Sequence, residues 1–301
     1  MLLDSASLYF RAFYGVPDTV TAPDGTPVNA VRGFLDMVAR LVDDRRPGRV
    51  VCCLDLDWRP AFRTEVIPSY KAHRLATDGN EDVPAALAVQ VPVILDVLDA
   101  VGLCRAGVAG FEADDVIGTL AVRDAGPVDV VTGDRDLFAV VDDARAVRVV
   151  YVGRGVSRRE VVDGEYVRAR YGVDPEQYAQ MAILRGDPSD GLAGVPGIGE
   201  KTAAGLLRRF GTLDALLAAA ESGSADVPRR ALLLEHASYL RAAAAVVPVR
   251  TDVPVPEQLD CAVPEAVADA TRLVALVDRW GLGASVNRLL RALRSAQPGL
   301  S

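Results

Sequence analysis

Gly186–Ala203 reads GDPSDGLAGVPGIGEKTA, a stretch in which two kinds of chemistry adjoin. Asp187 and Asp190 form a carboxylate pair suited to a divalent cation. Gly194–Gly199 predicts a tight turn into a helix that begins near Lys201, and such a helix start offers free backbone N–H groups to an anion. The stretch therefore predicts a metal-binding pair beside a phosphate-binding turn, as cleavage of a phosphodiester would require. The alternative is a plain helix–turn–helix connection.

Composition narrows the class of protein. The chain has 301 residues, of which 50% are hydrophobic, enough for one large α/β domain or for one domain with a smaller appendage. Neither a membrane-length apolar run nor a signal peptide follows Met1, so a cytoplasmic, nucleoid-associated protein with no membrane partner is expected. The four cysteines lack metal-finger spacing. A net charge of −8 argues against a protein that binds nucleic acid through overall positive charge. Acids that bind metal ions nevertheless become locally neutral, so a nucleic-acid partner is not excluded.

Short apolar runs alternate with amphipathic stretches in the first two-thirds of the chain. Strands are predicted at Met1–Leu3, Val50–Leu54, Val128–Thr132 and Val147–Val152. Helical stretches lie between them, an order that predicts an α/β fold with a mostly parallel central sheet flanked by helices. We place the α/β core at residues 1–156 and a helical region at 157–301, with a helix-hairpin-helix element at about 178–210. Residues 57–83 are polar, rich in charged side chains and proline-punctuated, and are predicted to form a long functional segment.

Several carboxylates directly follow predicted strands or lie at the start of a predicted helix. Because the carboxyl ends of parallel strands share one edge of a sheet, acids that follow strands are expected to converge there. Oxygen ligands of this kind suit Mg²⁺ or Mn²⁺, and two such ions can drive an in-line displacement at phosphorus. Taken singly, such acids are more typical of helix caps and turns than of metal sites. The candidates are Asp4, Asp55, Glu112, Asp114, Asp115, Asp134, Asp136, Asp187 and Asp190.

The second constellation is basic and lies within residues 57–83. Lys71 and Arg74 are three residues apart and would share one face of a helix, from which they could stabilise charge on a phosphate. Tyr70 could stack on a base, and Arg63 adds a further cation. The alternative is a solvated basic loop.

Together these motifs resemble the bacterial 5′-nuclease, or flap endonuclease, family, which also forms the N-terminal domain of DNA polymerase I. The matching segments are LLDSASLYFRAF (2–13), VVCCLDLDWRPAFR (50–63), PSYKAHR (68–74), GFEADDVIGTLA (110–121), VVTGDRDLFAVV (130–141) and the stretch quoted first. They occur in family order. The resemblance implies a PIN-like core with a helical arch at residues 57–83, and metal-dependent hydrolysis of branched or nicked DNA that carries a 5′ flap or 5′ end.

The resemblance also implies roles for individual residues. All nine acids carry over as ligands of two or more Mg²⁺ or Mn²⁺ ions, while Lys71, Arg74 and Arg11 match catalytic cations. A K⁺ ion at the hairpin turn and a monomeric, stand-alone nuclease are expected, and association with a sliding clamp or polymerase stays open. The residues expected to touch DNA are Arg63, Tyr70, Gly194, Val195, Gly197, Ile198, Gly199, Lys201 and Thr202.

Two positions depart from the family pattern. The interval after Asp55 is one residue longer than expected, which leaves Asp57 as a rival ligand, and Gly191 stands where asparagine is expected. Two alternatives to an active flap endonuclease remain: a DNA-structure-binding protein of this fold with defective catalysis, and a small ribonuclease of related sheet architecture. The presence of Asp187 and Asp190 disfavours the first, and the chain length and glycine turn disfavour the second.

Overall fold

Six strands form one mixed sheet at the centre of the molecule, for which a computed structural model describes residues 1–77, 79–224 and 226–297. The strands are β1 (Leu2–Asp4), β2 (Val51–Cys53), β3 (Cys104–Ala106), β4 (Val128–Thr132), β5 (Val147–Tyr151) and β6 (Glu160–Val162). Their order is β3-β2-β1-β4-β5-β6, and every neighbouring pair is parallel except β5 with β6. The mostly parallel sheet expected from the sequence is confirmed.

Helices cover both faces of this sheet and build the second half of the chain. They are α1 (Ser5–Gly15), α2 (Asn29–Arg45), α3 (Ala61–Thr64), α4 (Ala85–Ala88), α5 (Val91–Val101), α6 (Ala113–Arg123), α7 (Gly164–Tyr171), α8 (Tyr178–Arg185), α9 (Glu200–Phe210), α10 (Leu213–Glu221), α11 (Arg230–Glu235), α12 (Ala237–Val246), α13 (Ala270–Trp280) and α14 (Gly283–Ser295). Short 3-10 turns lie at Ala72–Arg74, Asp136–Val140, Val156–Arg158 and Pro175–Gln177. Within the described residues, no helix combines the length and apolar character needed to cross a bilayer.

Successive strand residues point to opposite faces, so the sheet separates two apolar layers. Leu2 faces the layer that contains α6, α8 and α9, whereas Leu3 faces the layer that contains α1, α2, α5 and α14. Both faces are therefore closed by helices, and only the strand ends are left to form a site.

The chain continues to build the sheet after residue 156, where sequence reasoning expected helices alone. β6 pairs antiparallel with β5, and the first helix of this region, α7, begins only at Gly164. Asp163 explains this start, because its side chain accepts a hydrogen bond from Tyr166 N and caps α7. β3 was also missed, because Cys104–Ala106 is a three-residue strand with no apolar alternation. The division at residue 156 remains a prediction.

The segment expected as a helical arch, residues 57–83, is mostly turns. Among its described residues, only α3 and the 3-10 turn at Ala72–Arg74 are helical. Pro60 and Pro68 restrict the chain around α3, and Lys71 adopts a left-handed conformation (φ 49°), which ends any continuous helix there. Lys71 and Arg74 therefore do not share the face of a longer helix. We refer to residues 57–83 as the arch segment.

A connector of residues 247–269 runs from α12 to α13 and packs on α6. Its Arg250 N donates to Asp115 Oδ1 at 2.9 Å, and its Val253 N donates to Thr119 Oγ1 at 3.1 Å. Close approach is possible because Gly118 has no side chain: a Cβ there would lie 2.5 Å from Val249 Cγ1 and 2.6 Å from Arg250 O. The connector thus fixes α6, the helix that carries three of the candidate acids at its start.

Gly118→Ala is expected to destabilise the protein by ~1–3 kcal/mol, since the new methyl group overlaps the connector. Gly205→Ala in α9 is the matched control, because a Cβ at Gly205 meets nothing within 4 Å; removing backbone freedom there should stabilise by ~0.5–1 kcal/mol. Urea unfolding followed by circular dichroism measures both. Equal shifts for the two variants would contradict the packing of the connector on α6.

Candidate active site

A cleft of about 1250 Å³ opens at the carboxyl ends of the parallel strands. It brings together most of the candidate acids and the three candidate catalytic cations. The sequence-derived residues that line it are Asp4, Arg11, Asp55, Lys71, Arg74, Glu112, Asp114, Asp134, Asp136 and Asp187. The sheet topology produces this convergence, because β1 lies between β2 and β4 and each of these strands ends near an acid.

Asp4 and Asp134 are joined through one buried hydroxyl. Thr132 Oγ1 donates to Asp4 Oδ2 at 2.6 Å and accepts from Asp134 N at 2.9 Å. Asp4 also caps α1 by accepting from Ser7 N at 3.0 Å. Thr132 and Ser7 were not singled out from the sequence, although Thr132 directly precedes the Gly-Asp turn of the predicted strand. These bonds fix the Asp4 carboxylate and the Asp134 backbone at the edge of the sheet.

Asp55, not Asp57, is the acid that faces the cleft after β2. Asp55 Oδ1 accepts from Ala113 N at 2.6 Å, which ties β2 to the start of α6. The side chain of Asp57 instead accepts from Arg59 N at 3.1 Å and does not line the cleft. The geometry thus favours Asp55 over its rival.

Arg63 is buried beneath the cleft rather than exposed to a partner. It is 3% exposed, its Nη2 donates to Asp115 Oδ1 at 2.5 Å, and its Nε lies 3.0 Å from Glu112 Oε2 without hydrogen-bond alignment. The expectation that Arg63 binds DNA is therefore not supported by its position. Its charge instead compensates two buried carboxylates, whose isolation in a low-dielectric interior would be costly.

Tyr70 and Asp115 also serve the interior. Tyr70 is buried, and its hydroxyl donates to Glu112 Oε2 at 2.9 Å, so no ring face is free to stack on a base. Asp115 is fully buried, and its oxygens accept from Arg63, from Arg250 N and from Glu112 N. Stacking by Tyr70 and metal ligation by Asp115 are both disfavoured in this arrangement, since their polar atoms already have partners.

The arch segment is docked on the turn that carries Asp187 and Asp190. Lys71 N donates to Asp190 O at 2.9 Å, and Arg74 Nη2 donates to Ser189 O at 2.7 Å. Arg74 also lies 3.4 Å from Asp190 Oδ1, and Lys71 Nζ forms an ion pair with Glu112. Both candidate cations therefore sit at the cleft with carboxylate partners.

Gly191 owes its identity to this docking. Its φ of +70° disfavours any side chain, and a Cβ would collide with the carbonyl oxygen of Ser69. Ser69 Oγ in turn donates to Gly191 O at 2.9 Å. The glycine found where asparagine was expected thus permits the arch segment to lie directly against the Asp187–Asp190 turn.

Burial and mutual repulsion make the acids of the cleft hard to ionise. Burial, reinforced by Asp55, raises the pKa of Asp4 to about 7. Burial also raises the pKa of Asp114 well above its usual value, with Asp4 adding to the effect, and the same holds for Asp136 beside Asp134. Such a crowd of carboxylates is relieved by bound cations, which favour the charged form.

The carboxylate oxygens of the cleft are suitable ligands for divalent ions, although the described residues do not form a complete metal site as they stand. In residues 1–77, 79–224 and 226–297, no group of three or more His, Cys, Asp or Glu side chains is arranged to hold a metal ion as it stands. The available donors are carboxylate oxygens, the type that Mg²⁺ and Mn²⁺ prefer. Ligation would therefore require side-chain rotation within the cleft, including release of Glu112 from Lys71.

Arginine side chains also line the cleft. Arg11 extends from α1 and its Nη1 donates to Gly153 O at 2.8 Å, while Arg135, Arg154 and Arg158 lie exposed beside it. Sequence reasoning singled out only Arg11 of this group: Arg135 lies within the matched segment 130–141 but was not chosen, and Arg154 and Arg158 follow β5 outside the matched segments. It also missed Trp58 and Glu81 from the arch segment, and both line the cleft.

The glycine turn lies between α8 and α9, as the predicted helix-hairpin-helix requires. Its Val195 and Ile198 side chains are buried, 2% and 3% exposed, and their backbone N–H groups donate to Leu184 O and Val195 O, so these two residues anchor the turn and do not offer donors to an anion. Gly197, Gly199 and Lys201 are exposed. Gly194 is buried too, and its N–H is taken by Tyr239 Oη at 3.1 Å, while Thr202 is half-buried on α9. Of the residues of this turn that were expected to touch DNA, only Gly197, Gly199 and Lys201 are therefore exposed to a ligand.

The pH dependence of stability should report on Asp4. Because the pKa of this carboxyl is raised to about 7, its contribution favours folding at low pH and is lost as the pH rises through about 7. In chelator, Asp4→Asn should therefore gain stability relative to the natural protein as the pH rises from about 4 to about 7, by ~1.4 kcal/mol per pH unit and ~4 kcal/mol in all. Thermal melts of both proteins across this range measure it. A difference independent of pH would contradict the crowding of Asp4.

Gly191→Ala should detach the arch segment, because the methyl group displaces Ser69 from the turn. Trypsin cleavage after Lys71 and Arg74 should accelerate by about an order of magnitude, as expected when a local opening becomes easier. Gly25→Ala is the control, since Gly25 has a similar φ of +88° with nothing within 4 Å of a Cβ. Equal cleavage rates in the two variants would show that Gly191 does not hold the arch segment in place.

Comparison with known proteins agrees with this architecture. Residues 1–172 match the family model for the 5′-3′ exonuclease N-terminal resolvase-like domain, and residues 173–269 match the model for the 5′-3′ exonuclease C-terminal SAM fold. A 5′-3′ exonuclease of Streptomyces coelicolor is 57% identical over 300 residues, covering 97% of this chain and 99% of that protein. One from Mycobacterium tuberculosis is 50% identical over 308 residues, covering 97% of each.

Solved structures share the fold at much lower identity. A bacteriophage T5 flap endonuclease, solved as a pseudo-enzyme-product complex with DNA and metal ions, superposes with a TM-score of 0.64 at 17% identity and covers 98% of both chains. The two family models together span most of the residues that build the sheet, the cleft and the hairpin. The chain belongs to the 5′-3′ exonuclease family.

Proposed function

We propose that this protein is a divalent-metal-dependent nuclease that acts on the 5′ ends and 5′ flaps of DNA, as a 5′-flap endonuclease and a 5′→3′ exonuclease in replication and repair. The observation that carries the proposal is the cleft itself, in which acids from separate strand ends lie beside Lys71, Arg74 and Arg11. Membership of the 5′-3′ exonuclease family supports the reaction, and the T5 relative, solved with DNA and metal ions, supports the substrate and the cofactor.

Two or more Mg²⁺ or Mn²⁺ ions are the proposed cofactors. Asp4, Asp55, Asp114, Asp134 and Asp136 are the proposed ligands, with Glu112, Asp187 and Asp190 as further candidates. When bound, such ions would lower the pKa of a water molecule and neutralise charge on the phosphate. Thr132 then has a positioning role, because its hydroxyl holds Asp4 and the Asp134 backbone in register.

Lys71, Arg74 and Arg11 are the proposed electrostatic partners of the scissile phosphate. They can balance the charge that develops on its oxygens as water adds to phosphorus and the leaving oxygen takes up a proton. Lys71 forms an ion pair with Glu112 in this structure. Burial acts to lower the pKa of Lys71, but the neighbouring carboxylate has the larger effect, so the pKa of Lys71 is raised. Lys71 therefore stays charged, and substrate must compete with Glu112 for it.

Duplex DNA is proposed to lie on the hairpin turn. The exposed backbone at Gly197 and Gly199, together with Lys201, offers a positive helix start to a phosphate without reading sequence. A K⁺ ion at this turn would fit the same role. The substrate is proposed to be branched or nicked DNA, bound by a monomer in the cytoplasm at the nucleoid, with residues 1–156 as the nuclease core and 157–301 as the DNA-binding region.

A labelled double-flap DNA tests the proposal with a matched pair of variants. Asp55→Asn should lower the rate of Mg²⁺- or Mn²⁺-dependent cleavage by about two orders of magnitude or more, because Asp55 faces the cleft. Asp57→Asn should stay within about twofold of the natural protein, since its carboxylate caps a local turn. Gel analysis of the 5′-labelled product measures the rate and shows whether cutting occurs at the junction.

Each other outcome has a definite meaning. Tight binding of flap DNA without cleavage in either metal would contradict the nuclease and favour a catalytically weak DNA-structure-binding protein. Equal loss of rate in both variants would show that the cleft geometry does not identify the reacting acids. Cleavage that persists in chelator would exclude the metal dependence.

A further inference from the structure

Two cysteines far apart in sequence lie in contact outside the cleft. Cys104 Sγ and Cys261 Sγ are 3.1 Å apart, although the two residues are 157 positions apart along the chain, and both are free thiols. A disulfide places its sulfurs ~2.05 Å apart, so a small side-chain movement closes the gap. Cys104 begins the edge strand β3, and Cys261 belongs to the connector.

Backbone hydrogen bonding holds both cysteines against the start of β2. Cys104 is the register partner of Val51 in the β2–β3 ladder. On the other side, Val50 N donates to Cys261 O at 2.9 Å, and Arg49 and Ala262 form an antiparallel bridge. The approach of the two sulfurs therefore follows from the fold and does not depend on a flexible loop.

We propose that Cys104 and Cys261 are an oxidation site at which hydrogen peroxide closes a reversible disulfide. One thiolate attacks the peroxide O–O bond, which gives a sulfenic acid and, after proton transfer, water. The second thiol then attacks the sulfenic sulfur, forms the S–S bond and releases a second water. Two thiols and one peroxide thus yield one disulfide and two waters.

Access assigns the order of these steps. Cys104 is half-buried and meets the peroxide first, whereas Cys261 is buried (3% exposed) and acts as the resolving thiol. Cys52 and Cys53 are fully buried in the sheet and do not compete. Burial and the Cys261 contact raise the pKa of Cys104 to about 12, so its thiolate is scarce at neutral pH and closure accelerates as the pH rises.

The disulfide would staple the edge of the sheet to the connector. The opposite end of the connector binds Asp115 and Thr119 of α6, so the crosslink would complete a brace from the sheet edge to this helix. Closure of a long loop constrains the unfolded chain and stabilises the fold. Cys104 lies at the amino end of β3, whereas the cleft lies at the carboxyl ends, so the brace leaves the acids in place.

Peroxide treatment followed by alkylation, digestion and mass spectrometry tests the proposal. The folded protein should yield a Cys104–Cys261 linked peptide that a dithiol reductant reverses, with a rise in melting temperature of about 5 °C or more. Cys104→Ser should abolish both the linked peptide and the rise. Because Cys104 is half-buried on an edge strand, this substitution should be tolerated by the fold. Mapping the disulfide in the natural protein tests the proposal without any variant.

Two results would overturn the proposal. One is recovery of both thiols in alkylated form from folded, peroxide-treated protein. The other is accumulation of sulfinic acid on Cys104 without a crosslink, which would mean that Cys261 does not reach it. Nuclease rate serves only as a control for intact folding, so failure of the proposed nuclease activity would leave the redox result interpretable.

Discussion

Parallel pairing of β1 with both β2 and β4 is the constraint on which the site depends. Leu3 is in register with Cys52 on one side and with Val131 on the other, so the chain after each strand emerges at the same edge. Apolar layers close both faces of the sheet, which leaves that edge as the place where polar groups can collect. The concentration of carboxylates follows from strand order before any ligand is considered.

Crowding of like charges then requires compensation, and the structure supplies it at two depths. Beneath the cleft, Arg63 neutralises Glu112 and Asp115 and makes their burial tolerable. At the cleft itself, Lys71 and Arg74 pair with acids of α6 and of the Asp187–Asp190 turn. Burial raises the pKa values of Asp4, Asp114 and Asp136, neighbouring acids add to the rise, and for Asp114 and Asp136 the charge of Lys71 offsets only part of it. An excess of carboxylates in a cleft suits a metal-dependent nuclease, because the metal ions bring positive charge to the carboxylates and the phosphate of the substrate brings negative charge to the metal ions.

Sequence alone predicted the parallel sheet, the hairpin and the acids at the strand ends, because each has a local pattern of period or spacing. It could not predict that Arg63, Tyr70 and Asp115 turn inward. Their partners are distant in sequence: Arg63 and Asp115 are 52 positions apart, and Asp115 and Arg250 are 135 apart. β3 and β6 were missed because tertiary pairing, and not propensity, makes such short segments extended. Gly191 likewise acquires its reason only from the approach of Ser69.

The central claim is that the carboxylates at this sheet edge hold divalent metal ions that serve hydrolysis. Crystals grown with Mn²⁺ and diffracted above the manganese edge test it most directly, because anomalous difference density locates the metal independently of activity. The account predicts strong peaks among Asp4, Asp55, Asp114, Asp134 and Asp136, with Lys71 released from Glu112. Absence of any peak in the cleft, or peaks only at surface acids elsewhere, would contradict it.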